Sequence, residues 1–241
     1  FTQVSELCRV LDVPYHIVNT EIAKILFEDR NEKPTCSLCA KMRKGALNQA
    51  IKELGCNKVA YAHHMDDVIE TVNHFRCIDT IIDHAKYTLT EKFIKELHML
   101  LKNGTSDSRK DWFAVGDYKK MPNEVGGMHT ALPEEVAGKM KLLLKEYNAK
   151  EEKSFEDILE FHVKFERIHP FQDGNGRVGR LLIFKECLKY NIVPFIVEDS
   201  LKIFYYRGLK EWDLEKGYLL DTCLAAQDRY KAYLDYFRIV Y

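Results

Sequence analysis

Apolar and polar residues along this chain follow two different rhythms. Up to about residue 70, short elements of both kinds alternate. Ser5 to Leu11 has helical spacing, whereas Pro14 to Val18 reads as a strand. Cys39 to Leu54 predicts a helix with Ala46, Ile51 and Leu54 on its apolar side and Gly55 as its stop. Asn57 to Ala62 is a short apolar run of buried-strand type. Strand, helix and strand at this spacing predict a small piece of parallel α/β sheet.

From Val72 onward strand spacing nearly vanishes. Thr88-Leu-Thr-Glu91 reads as a capping box opening a helix with Ile94, Leu97, His98 and Leu101 on one face, ending at Asn103-Gly104. A second helix follows Pro133, with Val136, Met140, Leu143 and Tyr147 aligned. A third opens at Ser154 and buries Ile158, Phe161, Phe165 and Ile168. Further helices are predicted from about Gly176 to Tyr190, from Ser200 to Trp212 and from Tyr218 to Phe237. Between the first two, Trp112 to Thr130 carries Gly116, Pro122, Gly126 and Gly127, which predicts a loop or short hairpin. The chain is therefore expected to be mainly α, preceded by a small α/β fragment, with a boundary between 1–70 and 71–241.

Lys and Arg number 36 against 37 for Asp and Glu, a balance that points to neither nucleic acid nor membrane as a partner. No run of 18 apolar residues predicts a membrane span. The first residues, Phe1-Thr-Gln-Val-Ser-Glu-Leu-Cys8, lack the basic region and apolar core of a signal peptide and lack an initiator Met, so residues upstream are left open. The seven cysteines are an odd number with one close pair, Cys36 and Cys39, which suits a reducing cytoplasm better than a disulfide framework. A cytoplasmic protein is expected, with a homo-oligomer left open.

The chemistry concentrates in His169-Pro-Phe-Gln-Asp173-Gly-Asn-Gly-Arg177-Val-Gly-Arg180. Gly174, Gly176 and Gly179 permit positive φ and close approach of a ligand to the backbone. A glycine-rich turn entering a helix presents unpaired N–H groups and the positive end of the dipole, a cradle for phosphate. Arg177 and Arg180, three residues apart, can both face it. Asp173 offers a hard oxygen to Mg²⁺, which is normally held by one or two carboxylates plus substrate phosphates. His169 is suited to general base work. Together these residues imply phosphoryl or nucleotidyl transfer.

The stretch resembles the signature of the Fic family, H-P-F-x-[DE]-G-N-G-R-x-x-R, at every specified position, and the resemblance extends from about Glu70 to the C-terminus. It implies a helical Fic core with a short β-hairpin flap, and transfer of AMP from Mg-ATP to a Ser, Thr or Tyr hydroxyl of a target protein. It also implies that His169 deprotonates that hydroxyl, and that Asp173 binds Mg²⁺. Asn175 with the N–H groups of Gly174 and Gly176 would form the α-phosphate anion hole, Gly179 would belong to the same nucleotide-binding turn, and Arg177 and Arg180 would hold the outer phosphates. The family also contains enzymes that remove AMP or transfer other groups, and a non-catalytic ATP-binding module is the remaining alternative. Gly116 to Gly127 is similar to the flap that pairs with an extended target, implying docking roles for Gly116, Tyr118, Lys119, Gly126 and Gly127. Lys119 stands where many flaps carry Arg, and it cannot supply a planar bidentate contact.

The first seventy residues are similar to an internal part of the ATP-pyrophosphatase enzymes that thiolate a tRNA cytidine. That resemblance is carried by Pro34-Thr-Cys36-Ser-Leu-Cys39, by Leu54-Gly-Cys-Asn-Lys-Val59 and by His63-His64-Met-Asp-Asp-Val-Ile-Glu70-Thr71. The Ser-Gly-Gly-x-Asp-Ser loop of those enzymes does not occur in this sequence, so their activity is not expected. Many Fic proteins also carry an inhibitory [Ser/Thr]-x-x-x-Glu-[Gly/Asn] helix whose Glu pairs with the second motif Arg. No complete match occurs, which predicts an uninhibited Arg180, with Glu70 as the acid that could substitute by proximity.

Overall fold

The computed structural model describes residues 2–25, 36–57, 65–125 and 128–241. The expected residues Gly126 and Gly127, the His63-His64 pair and positions 58–62 of the second expected strand lie outside them, as do the side chains of Cys36 and Cys39. The chain divides into two compact units, Phe1–Ala62 and His63–Tyr241.

In the first unit, helix α1 covers Thr2–Val10, a short turn α2 covers Ile22–Lys24 and α3 covers Cys36–Glu53. Gly55 follows α3 with φ +67°, the left-handed stop that glycine adopts without a Cβ penalty. The strand expected at Pro14 to Val18 does not form. A strand needs a partner for its backbone N–H and C=O groups, and among the described residues the one sheet present lies in the other unit. Val13, Ile17 and Val18 are accordingly half or more exposed.

The second unit is built from helices α4 (Met65–Asp83), α5 (Glu91–Lys102), α6 (Pro133–Ala149), α7 (Phe155–Ile168), α8 (Asn175–Lys189), α9 (Lys202–Glu211) and α10 (Gly217–Tyr236). Their bounds follow the sequence pattern closely, except that α4 crosses the expected boundary at residue 70 without a break. The cap of α5 is Thr90, whose hydroxyl accepts from Phe93 N–H, rather than Thr88. That register lets Leu89 and Ile94, both fully buried, staple the helix entrance. Ser154 caps α7 in a reciprocal box with Asp157.

Two apolar clusters share α7 and α8. Phe161, Phe165, Phe171, Val178, Leu181 and Leu182 pack with residues of α4, α5 and α6, whereas Ile158, Leu159, Val163, Ile183 and Cys187 pack with Tyr205, Trp212, Leu219 and Cys223. Helices buried on two sides have little freedom to shift. The turn between them, residues 169–174, is therefore held at both ends by core. The expected hairpin forms from β1 (Glu124–Val125) and β2 (Met128–His129), antiparallel, with Glu124 opposite His129.

Candidate active site

His169 ends α7 in the left-handed region, φ +51°, while its N–H still bonds the Phe165 carbonyl at 2.9 Å. A non-glycine residue at positive φ carries strain that surrounding structure must hold in place. Pro170 then prevents the helix from continuing. Gly174 opens α8 with φ +84°. The first α8 bond runs from Val178 N–H to Gly174 O, so the N–H groups of Asn175, Gly176 and Arg177 at the helix start have no partner from the preceding turn.

Two side chains lock the turn. The Asn175 amide accepts from Phe171 N–H at 2.8 Å and donates to Phe171 O at 2.7 Å, and the residue is 1% exposed. Its side chain is therefore a brace, and what it offers an anion is its backbone N–H, a correction to the expected side-chain role. The His98 ring stacks on Phe171 with centroids 3.9 Å apart. Its Nδ1 accepts from Gly116 N–H at 3.0 Å, which leaves Nε2–H to donate to Asp173 O at 3.2 Å. Burial, aided by the Lys102 charge, pulls His98 down to about 4, so the ring is neutral at pH 7.

His169 is 14% exposed by side chain, and its Nδ1 lies 3.3 Å from the Glu166 carbonyl. With Nδ1–H donating there, Nε2 carries the free lone pair. Burial lowers its pKa, with Lys119 adding to the effect, so the imidazole is neutral and able to accept a proton at pH 7.

A charged network adjoins this base. Lys102, 1% exposed, meets Glu70 at 2.5 Å, Asp173 at 2.7 Å and Asp107 at 3.4 Å. Arg177 pairs with Glu70 and with Asp173, the latter at 3.1 Å. Glu70 is thus held by Arg177 and Lys102, not by Arg180. Arg180 instead acts on Glu166, Tyr205 and His74, and its Nη1 folds back to within 3.2 Å of where a Gly176 Cβ would project. Both arginines therefore stand near the start of α8. A Cβ on Gly176 would meet the flexible end of that guanidinium, so a side chain there would push Arg180 aside.

Gly179 belongs elsewhere. A Cβ on it would meet Glu166 Oε1 at 2.6 Å and His162 Cε1 at 2.7 Å, so it is a packing glycine between α7 and α8 rather than part of a phosphate cradle. On the flap, Gly116 has φ +73° and a Cβ there would strike Met99 at 2.8 Å. Tyr118 packs against Phe171 and lies under Lys95, whose Nζ is 4.1 Å from its ring. Lys119 is 3% exposed, bonds Asn123 and Thr130 at 2.6 and 2.7 Å, and donates its N–H to Pro170 O. Lys119 therefore anchors the hairpin stem and is not presented to an incoming chain, which corrects its expected docking role.

The residues present fit Mg-ATP chemistry. Asp173 is half exposed and only Oδ2 is engaged by Lys102 and Arg177. Among the described residues no group of three or more His, Cys, Asp or Glu could hold a metal alone, so Mg²⁺ here would rely on Asp173 and phosphate oxygens. Sequence reasoning missed Lys102 and Glu166. The first was detectable as a lysine at helical spacing from His98 and Ile94 on the buried face of α5. The second sits one turn ahead of His169 and four residues after His162.

Comparison with known proteins agrees with this geometry. Residues 88–186 match the model of the Fic/DOC family. A Fic domain-containing signaling protein of Bacteroides thetaiotaomicron superposes with TM-score 0.58 at 28% identity, over 79% of this chain and 74% of that one. A Fic family protein of Desulfovibrio desulfuricans, TM-score 0.57 and 22% identical, shares the fold over 95% of this chain and 78% of that one. A different relationship covers about a quarter of the chain. The tRNA-cytidine(32) 2-sulfurtransferase of Janthinobacterium sp. is 47% identical over 64 residues, and that of Paraburkholderia phymatum 44% over 68. The chain spans about a fifth of the length of these curated relatives. Residues 88–186, which include the motif turn and the helices on both sides of it, are thus similar to the Fic/DOC family in sequence and in fold.

Proposed function

We propose that this chain transfers AMP from Mg-ATP to a Ser, Thr or Tyr hydroxyl of a target protein. The observation that supports this reading is His169, its Nδ1 turned to the Glu166 carbonyl, on a turn that leads into a helix start with N–H groups unpaired by the preceding turn and with two arginines. The target hydroxyl loses its proton to His169 Nε2 as its oxygen bonds the α-phosphorus. The bond from that phosphorus to the β-phosphate oxygen breaks, and pyrophosphate leaves. The N–H groups of Asn175, Gly176 and Arg177 stabilise charge developing on the α-phosphate oxygens, with Arg177 and Arg180 on the outer phosphates. Asp173 would hold Mg²⁺, which supplies charge neutralisation to the phosphates when bound. The activity is assigned to residues 71–241, with the hairpin docking the target by strand addition.

The test is parallel incubation with α- and γ-labelled ATP. Transfer of α label alone is expected, and His169→Ala should lower it by about 10²–10⁴ while leaving the fold intact. Transfer of γ label would replace this reading with phosphoryl transfer. Equal α transfer by His169→Ala would remove His169 from the mechanism.

A further inference from the structure

One buried acid in this unit has no role in the chemistry above. Glu166 sits on α7 one turn ahead of His169, its side chain 16% exposed. Its Oε2 lies 4.0 Å from His169 Nδ1, the ring nitrogen that also meets the Glu166 carbonyl. Its Oε1 lies 4.0 Å from His162 Nε2, is buried, and accepts no hydrogen bond among the described residues. A buried carboxylate oxygen without a partner is costly and calls for an explanation.

The neighbourhood is defined on all sides. His162 and His169 face the carboxyl from α7, Arg180 acts on it from α8 and Tyr205 from α9. The Tyr205 hydroxyl is engaged with His162 Nε2, and His162 Nδ1, like Glu166 Oε1, is buried with no hydrogen bond among the described residues. Gly179 leaves the space into which Oε1 projects. Lys119 and Asp173 also act on His169 through their charges. The carboxyl thus lies 4.0 Å from the base and within the field of the second motif arginine.

We propose that Glu166 is the positioning residue of His169, backing the Nδ1 side of its imidazole and linking the base to Arg180. This rests on the reading of His169 as base. Negative charge behind Nδ1 favours the protonated ring, so ionised Glu166 makes Nε2 a stronger proton acceptor. Arg180 favours that ionised form and burial opposes it, and burial prevails, placing Glu166 at about 7. The acid therefore titrates in the range where the base must work.

The experiment follows the His169 ring by nuclear magnetic resonance from pH 5 to 9 in the full chain, as parent, Glu166→Gln and Glu166→Asp. The parent ring should show its own titration plus a second inflection near pH 7. In Glu166→Gln the second inflection should vanish and the His169 pKa should fall by about one unit, a tenfold weaker base. Glu166→Asp, which keeps the charge on a shorter arm, should restore part of the shift. Transfer of α label at pH 8 should fall roughly tenfold in Glu166→Gln through kcat, with KM for ATP nearly constant. Identical His169 titrations in parent and Glu166→Gln would overturn the proposal. The ring titration needs no activity, so failure of the parent to transfer label would count against the function alone.

Discussion

The most exacting prediction concerns Asn175. Its side chain makes two hydrogen bonds to the backbone of Phe171, which is fully buried. In Asn175→Ala both bonds are lost; the Phe171 N–H is left buried without a partner, whereas its C=O keeps the Asn123 amide at 3.0 Å. Each lost bond is worth about 1 kcal/mol net, and an orphaned buried group costs about 1–3 kcal/mol. The expected loss is therefore about 2–4 kcal/mol, with the 171–174 turn loosened and transfer lowered. Asn175→Asp separates the two bonds. A carboxylate still accepts from Phe171 N–H, and the helix start favours negative charge by about 0.3–1 kcal/mol. It also faces the Phe171 carbonyl 2.7 Å away while buried, an unpaired clash that outweighs the dipole. Protonation restores a donor, so the folded pKa of that Asp is raised. Its stability is full below the unfolded pKa of about 3.9 and is lost as pH rises through the folded value. Urea unfolding followed by tryptophan fluorescence reads this directly, because Trp112 and Trp212 both lie in the second unit. A loss below about 1 kcal/mol for Asn175→Ala, or an Asp variant equally stable at pH 5 and 8, would refute the brace.

Glu70→Gln removes the charge held by Arg177 and Lys102; freed Arg177 should bind outer phosphates better, seen as a lower KM for ATP and faster α-label incorporation. Gly179→Ala pushes a methyl into Glu166 and His162 and should cost about 1–3 kcal/mol by urea titration, with the melting curve as a second check. Acid sensitivity follows from three buried groups. His98 and His162 are pulled down by burial to about 4 and about 3, so each contributes stability that is present above pH 6.5 and lost as pH falls through those values. Glu166, raised to about 7, has the opposite sign, with stability present below 4.5 and lost as pH rises through 7. Between pH 4.5 and 6.5 these three leave a net uptake of one proton on unfolding, a slope of about 1.4 kcal/mol per pH unit. Glu166→Gln should roughly double that slope, and an unchanged slope would contradict the assignment.

Local chemistry was legible in the residues, and contacts distant in sequence were not. The Ser154 cap, the Pro133 start and the glycine at 174 act over a few positions, so their consequences could be read from neighbours. The same holds for the crowding of His169 to Arg180 into a single turn and helix start. Lys102 gathers carboxylates from positions 70, 107 and 173, a convergence that only packing of α4 and the motif turn onto α5 creates. The failed strand at Pro14 to Val18 shows the converse, because its pattern was right but pairing depends on a second segment. Lys119 misled for a related reason: a cation in a flap suggests an outward contact, yet Asn123 and Thr130 turn it inward.

That inward lysine has a consequence for how the hairpin can change. Its ammonium joins the two sides of the stem, and its own N–H fastens the stem to Pro170, next to the base. The rim formed by Glu124, Val125, Met128 and His129 lies beyond that anchorage. Sequence at the rim can therefore drift or be redesigned without moving His169. Under the proposed function, choice of target and competence for chemistry would become separately mutable traits of a single loop.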